Sequence, residues 1–254
     1  MDFHLLYRFI RLLYFTLTLF ERKRFFQKKE VRPFTLGIFM EQNQALLKMN
    51  KNRNPDQLLK IRNKSRIPTK YGESIFYTFQ GLSDGKEHLA IKYGDIRENI
   101  PLVRLHSECM TGDVFSSNKC DCGEQLKESI QTFSKEGGLI LYLRQEGRGI
   151  GLYNKLEAYF LQENGFDTVE ANQFLNFEDD LRNYESAAQM LKALHLTKIR
   201  LVTNNPKKVE QLKSYGIEVV ERIPTGLFLK KQNVHYLETK KEKSGHLLDL
   251  PKTN

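Results

Sequence analysis

Tryptophan is absent from this chain of 254 residues, and cysteine occurs only three times. All three lie within fourteen positions, at Cys109, Cys120 and Cys122, so a disulfide framework is excluded, and grouped thiols suit a reducing compartment or a metal site. A cytoplasmic location is expected. Long uninterrupted apolar runs are also missing. The first twenty residues, MDFHLLYRFIRLLYFTLTLF, are interrupted by His4, Arg8 and Arg11 and run into the basic stretch Glu21–Arg24. A spanning helix needs about 20 apolar residues with few charges, and a secretory leader needs basic residues first and small ones at a cleavage site. Neither pattern is met cleanly. Membrane contact of residues 1–24 is therefore the weaker reading beside an extension with no catalytic role, for which Met40 or Met49 are alternative starts.

The formal charge of +9 raises the question of nucleic acid or anionic membranes. Its distribution answers it. Residues 1–70 hold 16 Lys and Arg against 5 Asp and Glu, and the remainder holds 24 against 26. The body is nearly neutral, so no nucleic-acid partner is expected, although local clusters can still bind a phosphate. With 40% hydrophobic residues the chain is long enough for one sizeable α/β domain or two small ones. Residues 1–70 read as a basic, partly apolar extension and linker, poorly ordered, and residues 71–250 as the catalytic domain.

Within that domain Ser74–Phe79 and His88–Tyr93 read as strands separated by the turn signal Ser83-Asp-Gly85, and Ile100–His106 leads into Cys109. Gln125–Phe133 has helical apolar spacing, and Gly138–Leu143 is a compact buried-strand signal. Ile150–Leu161 and Ser186–Leu196 follow as helices and Ile199–Val202 as a strand. Asn205 and Pro206 open the next helix, Gly216 ends it, and Ile217–Val220 is one more strand. The expected fold is α/β, a mixed sheet with flanking helices: an antiparallel meander at the start of the body, then βα alternation after the cysteines.

The cysteines are spaced C-x10-C-x-C. Three thiolates form a soft ligand set for zinc and leave the fourth tetrahedral position for water, the arrangement of a catalytic site. Two other readings stand beside it: a closed structural site completed by His106, and buried thiols without a metal. In a catalytic site Glu108 or Asp121 could serve as a base. His106-Ser-Glu108 is similar to the H-x-E element of zinc nucleobase deaminases, whose P-C-x-x-C partner is missing here.

Two segments suit phosphate. Arg144-Gln-Glu-Gly-Arg-Gly-Ile-Gly151 lies between a strand and a helix, where glycines admit backbone N–H groups to a phosphate and Arg148 offers a forked donor. It matches neither the P-loop nor the dinucleotide spacing, and a tight turn with solvated arginines is the plain alternative. Thr203-Asn-Asn-Pro-Lys-Lys208 follows a strand end, where open α/β sheets bind ligands. Asp180 and Arg182 precede a helix, and an ordinary surface ion pair is the default there.

Together these segments resemble the GTP cyclohydrolase II family. The resemblance rests on R-L-H-S-E-C-M-T-G-D at Arg104–Asp113, K-C-D-C-G at Lys119–Gly123 and R-Q-E-G-R-G-I-G-L at Arg144–Leu152. It continues in D-T-V-E-A-N at Asp167–Asn172, T-N-N-P-K-K-V at Thr203–Val209 and G-H-L-L at Gly245–Leu248. It implies hydrolysis of GTP to formate, pyrophosphate and a 2,5-diamino-6-ribosylamino-pyrimidinone 5′-phosphate, the first step of riboflavin biosynthesis. It further implies zinc on Cys109, Cys120 and Cys122, magnesium on the triphosphate, and a homodimer. The implied GTP contacts are Arg104, Leu105, His106, Ser107, Glu108, Gln125, Glu146, Gly147, Arg148, Thr168, Thr203 and Lys208. Asp180 is implied as proton acceptor, Arg182 as the residue attacking the α-phosphate, and Tyr159 as neighbour of the guanine and the metal. An arginine that stays protonated has no lone pair to attack with, so charge stabilisation by Arg182 is the alternative role. Asn176 and Asn183 depart from the family's usual glycine and acid. A deaminase, or a nucleic-acid module with structural zinc, is the alternative function.

Overall fold

The computed structural model describes residues 59–96, 100–166, 171, 174, 175, 177, 180–242, 245, 247 and 248. The chain divides into Met1–Asp56 and Gln57–Asn254, and the first unit, including the apolar start, lies outside the described residues. Among the described residues no helix is long and apolar enough to cross a membrane.

Seven strands form one mixed sheet in the order β1-β2-β3-β5-β4-β6-β7. The strands β1 (Lys60–Thr69), β2 (Gly72–Gln80) and β3 (Leu89–Tyr93) are an antiparallel meander, and β3 also pairs antiparallel with β5 (Gly138–Leu143). From there β4 (Leu102–Ser107), β6 (Lys198–Val202) and β7 (Glu218–Ile223) continue the sheet in parallel with β5. The α/β architecture and the change from meander to βα alternation agree with the sequence reading.

The sheet starts inside the segment read as linker. β1 pairs along its length with β2, from Lys60 opposite Gln80 to Thr69 opposite Gly72. It looked like a linker because it is an edge strand whose side chains are nearly all exposed, Lys60, Arg62, Lys64 and Arg66 among them. Charged side chains, lysine above all, are how natural edge strands avoid pairing with another chain.

The central strands are buried on both faces, as parallel strands beneath helices must be. Leu139, Leu141 and Leu143 of β5 join Val103, Leu105 and Leu201 on one face. Helices α4 (Glu185–Ala193) and α5 (Pro206–Ser214) cover this face with Met190, Leu191 and Leu212. On the other face Ile140, Leu102 and Tyr93 pack with Phe133 of α2 (Cys122–Glu136). Strand alternation then puts Arg104 and His106 of β4 on the α2 face together with Leu102. Helix α5 begins as the sequence suggests, with Asn205 Oδ1 accepting the Lys207 N–H at 2.9 Å and Pro206 in the first turn.

Because β4, β5 and β6 are parallel, their carboxyl ends meet at one edge of the sheet, and Cys109, Glu146 and Thr203 each follow one of those ends. The core is what holds this edge in place. Leu141, fully buried in β5, should lose about 2–5 kcal/mol of folding stability on replacement by alanine. Urea unfolding of Leu141→Ala measures this, and a change below 1 kcal/mol would contradict the packing described.

Candidate active site

The turn after β4 carries the first thiol. Cys109 precedes the single helical turn α1 (Met110–Asp113), and Cys122 opens α2. Asp113 holds the turn closed: its Oδ2 accepts the Cys109 N–H at 3.0 Å and the Tyr142 hydroxyl at 2.9 Å, while His106 Nε2 lies 3.0 Å from both carboxylate oxygens. His106 is thereby turned to Asp113 and is not one of the grouped ligands, so it does not close a tetrahedron with the thiols. Burial pushes the His106 imidazole below its ordinary pKa, against the pull of Asp113.

The three sulfurs lie within 4.8 Å of one another, and Cys109 Sγ is 3.7 Å from Cys120 Sγ. A tetrahedral zinc with bonds of about 2.3 Å separates its sulfurs by about 3.8 Å, so the donor set fits such an ion. The fit depends on an absent side chain. A Cβ at Gly112 would stand 2.8 Å from Cys120 Sγ and 3.2 Å from Cys109 Sγ. Hydrogen bonds from Cys120 and Cys122, and then the Lys155 ammonium, hold the Cys109 thiol far below its ordinary range, despite burial. The hydrogen bond to Cys109, with burial, in turn pushes Cys120 up to about 11, and hydrogen bonds to Cys109 and Cys120, with burial, push Cys122 well above its ordinary range. One thiolate is comfortable here, whereas three require a cation.

Lys155, on α3 (Leu152–Glu163), was missed in the sequence. Its Nζ lies 3.2 Å from Cys109 Sγ, 2.8 Å from Glu146 Oε1 and 2.9 Å from Thr111 Oγ1. Burial opposes its charge, but the Tyr159 hydroxyl, the Cys109 thiolate and Glu146 together hold it above the ordinary lysine value. A signal was present, since Lys155 precedes Tyr159 by four residues and shares its helix face. Tyr159 stands over the same site, with its ring 5.7 Å from Lys155 Nζ, and burial with the nearby thiolates pushes its hydroxyl up to about 12. At neutral pH it is a donor.

Past β5, Arg144 is fixed by His88, whose Nδ1 accepts the Arg144 N–H at 2.9 Å while its Nε2 lies 2.8 Å from Asp84. Glu146–Gly149 form a tight turn in which Gly147 and Arg148 take positive φ values of 61° and 59°. Arginine rarely adopts that conformation, and such strain is often held at working sites. The Glu146 carboxylate bonds the Met110 N–H at 2.6 Å and Lys155, so it braces the thiol turn. Glu108 accepts from Arg144 Nε at 2.9 Å.

These groups surround a cavity of about 420 Å³, within the usual range for small ligands. The three cysteines, Ser107, Glu108, Glu146, Gly147, Arg148, Tyr159 and Arg182 line it, as do Lys155, Gln232 and Tyr236, which the sequence reading did not single out. Asp180 grips Arg182 in a forked pair, Oδ1 to Nε at 2.7 Å and Oδ2 to Nη2 at 2.6 Å. Burial opposes the Arg182 charge, yet Tyr184 and Asp180 more than offset it and raise its pKa. Asp180 is correspondingly lowered by Arg182 in spite of its own burial.

Among the described residues, the other expected contacts form a layer that does not line the cavity. Arg104 Nη2 donates to Gln125 Oε1 at 2.9 Å, and Arg104 Nε is buried without a partner. Lys208 Nζ donates to the Leu105 carbonyl at 2.6 Å, and burial, with Arg182 and Arg104 nearby, lowers its pKa strongly. Thr203 Oγ1 accepts the Asn205 N–H at 3.0 Å. Asp121 is fully buried against Lys240 and Gln125, away from the cavity. Asn183, one of the departures noted, accepts the Glu185 N–H at 2.6 Å in the turn just before α4. Thr168 and Asn176 lie outside the described residues.

Residues 60–224 match the family model described as GTP cyclohydrolase II. A GTP cyclohydrolase-2 of Aliivibrio fischeri (strain MJ11) is 54% identical over 196 residues, covering 76% of this chain and 96% of that protein. One of Psychromonas ingrahamii is 54% identical over 195 residues, covering 76% and 95%. The longer riboflavin biosynthesis protein RibBA of Bacillus cereus is 54% identical over 186 residues, 72% of this chain and 47% of that one.

The geometry makes Gly112 a sensitive position. Gly112→Ala should weaken divalent-metal binding by about tenfold or more, measured by chelator competition, and unchanged affinity would contradict the close approach to the thiols.

Proposed function

This chain belongs to the GTP cyclohydrolase II family, enzymes of riboflavin biosynthesis, and from that premise we propose that it opens the imidazole ring of GTP at a zinc ion held by Cys109, Cys120 and Cys122. The products are formate, pyrophosphate and 2,5-diamino-6-ribosylamino-4(3H)-pyrimidinone 5′-phosphate. The observation that carries this reading is the thiol cluster opening onto the same cavity as Arg148 and Arg182. A metal donor set and two guanidinium groups converge where a nucleotide can present its base to one and its phosphates to the others.

When bound, zinc supplies a Lewis acid that lowers the pKa of water towards neutrality, which is what hydrolysis at a ring carbon requires. The chain's own groups do the rest. Lys155 offsets the charge of the thiolates beside Cys109, and Glu146 holds both Lys155 and the thiol turn. Tyr159, kept protonated, can donate to the purine ring and pass a proton as formate leaves. Arg148 and Arg182 bind phosphate oxygens, with magnesium neutralising the rest of the triphosphate. Ser107, Glu108 and Gly147 shape the rim, while Arg104, Leu105, His106, Gln125, Thr203 and Lys208 support it from behind, and Thr168 joins them as a contact by family likeness. Held charged by Asp180, Arg182 is a poor nucleophile, so its role is to stabilise charge on the α-phosphate while water attacks.

We further propose a cytoplasmic homodimer with no nucleic-acid or membrane partner. In support of the dimer, α3 exposes Tyr153, Leu156 and Phe160 at 81%, 44% and 63%, three apolar side chains spaced along one face.

Incubation of the full chain with GTP, zinc and magnesium should release formate and the pyrimidine product. Cys120→Ser should lower that rate by at least about a hundredfold. Formate release that survives both this change and removal of the metal would refute zinc chemistry. Arg182→Ala should cost about 10²–10³-fold in kcat with no adduct on Arg182 of the parent enzyme in single turnover. A trapped phosphoramidate would establish covalent attack instead.

A further inference from the structure

The family match ends at residue 224, yet the cavity does not. Gln232 and Tyr236 line it from a carboxyl-terminal segment that ends in α6 (Val234–Glu242). This segment is built onto one acidic face of α2. Glu128 accepts the Gly226 N–H at 2.9 Å, Glu124 pairs with Lys230, and Asp121 Oδ1 meets Lys240 Nζ at 2.7 Å. Positions 121, 124 and 128 are spaced so as to share that helix face. Asn233, fully buried, fixes the entry to α6 by donating to the Phe228 carbonyl at 2.9 Å and accepting the Lys230 N–H at 2.8 Å.

The Lys240–Asp121 pair is the inner anchor. Asp121 is fully buried and Lys240 is 9% exposed. The other Asp121 oxygen accepts Gln125 Nε2 at 2.6 Å, and Gln125 Oε1 accepts Arg104 Nη2 at 2.9 Å. A single polar chain thus runs from α6, through the residue between Cys120 and Cys122, to β4. Removing one member of so buried a pair leaves an uncompensated charge, so the pair locks the position of α6. One helical turn before Lys240, Tyr236 has its ring 4.5 Å from Lys240 Nζ and 6.0 Å from the Arg148 guanidinium, within reach of both cations.

We propose that Tyr236 is a nucleotide-binding residue forming one wall of the site, and that Lys240 is its positioning residue, acting through Asp121. This rests on the reading of the cavity as a GTP site. Tyr236 presents an aromatic face to the purine nucleoside beside the arginine that takes its phosphates, and excludes water from that side.

The test is steady-state formate release by the full chain and its Tyr236→Ala, Lys240→Met and Lys240→Arg variants, with bound zinc measured in each. Tyr236→Ala and Lys240→Met should each raise the KM for GTP about tenfold while kcat falls less than about threefold, with zinc content unchanged. Lys240→Arg should regain most of the loss, which a purely structural defect would not predict. Wild-type turnover with unaltered KM in Tyr236→Ala would overturn the wall alone, whatever the folding of the Lys240 variants. No turnover of GTP by the wild-type chain would overturn the functional reading and the wall with it.

Discussion

Three sulfur atoms within 4.8 Å of one another are a problem of charge before they are a metal site. Thiolates that close repel, so the cluster stays partly protonated until a cation arrives. Around it the fold arranges a glycine that leaves room, an ammonium 3.2 Å from one sulfur, and a carboxylate that fixes both that ammonium and the thiol turn. The sheet serves the same end. Its parallel strands β4 and β5 deliver the thiol turn and the Glu146 turn to one edge, and helix α3 brings Lys155 and Tyr159 over them.

The second half of the site obeys a different constraint. Arg182 is held by a forked carboxylate and raised in pKa, which makes it a fixed positive charge. The backbone ties this loop to the metal side, because the Leu181 N–H donates to the Arg148 carbonyl at 3.1 Å. The strained Arg148 turn therefore touches both halves, with its peptide holding the Asp180–Arg182 loop and its side chain facing the cavity. Arg104, which does not line the cavity, adds positive charge beneath it at the cost of desolvation, and burial beside Arg182 and Arg104 holds the Lys208 pKa well down.

Much of this was legible in the sequence, for identifiable reasons. The buried run Gly138–Leu143, the capped helix at Asn205 and the three thiols each carry a local signal that tertiary context does not override. The β1 strand was not legible, because an exposed edge strand rich in lysine and arginine has the composition of a linker. His106 and Asp121 sit beside the cysteines in sequence but turn to Asp113 and Lys240, and proximity along the chain could not reveal that. Lys155 and Tyr236 entered from distant helices. Helical spacing from Tyr159 pointed at the first, whereas nothing local marked the second, since its place depends on an ion pair between residues 121 and 240.

The proposed zinc site has three sulfur ligands with one position left for water, and X-ray absorption at the zinc edge of the purified full chain tests this most directly. One zinc per chain is expected, with three sulfurs at about 2.3 Å and one oxygen at about 2.0 Å. A shell of four sulfurs, or one with a histidine nitrogen in the fourth place, would describe a closed structural site and contradict it.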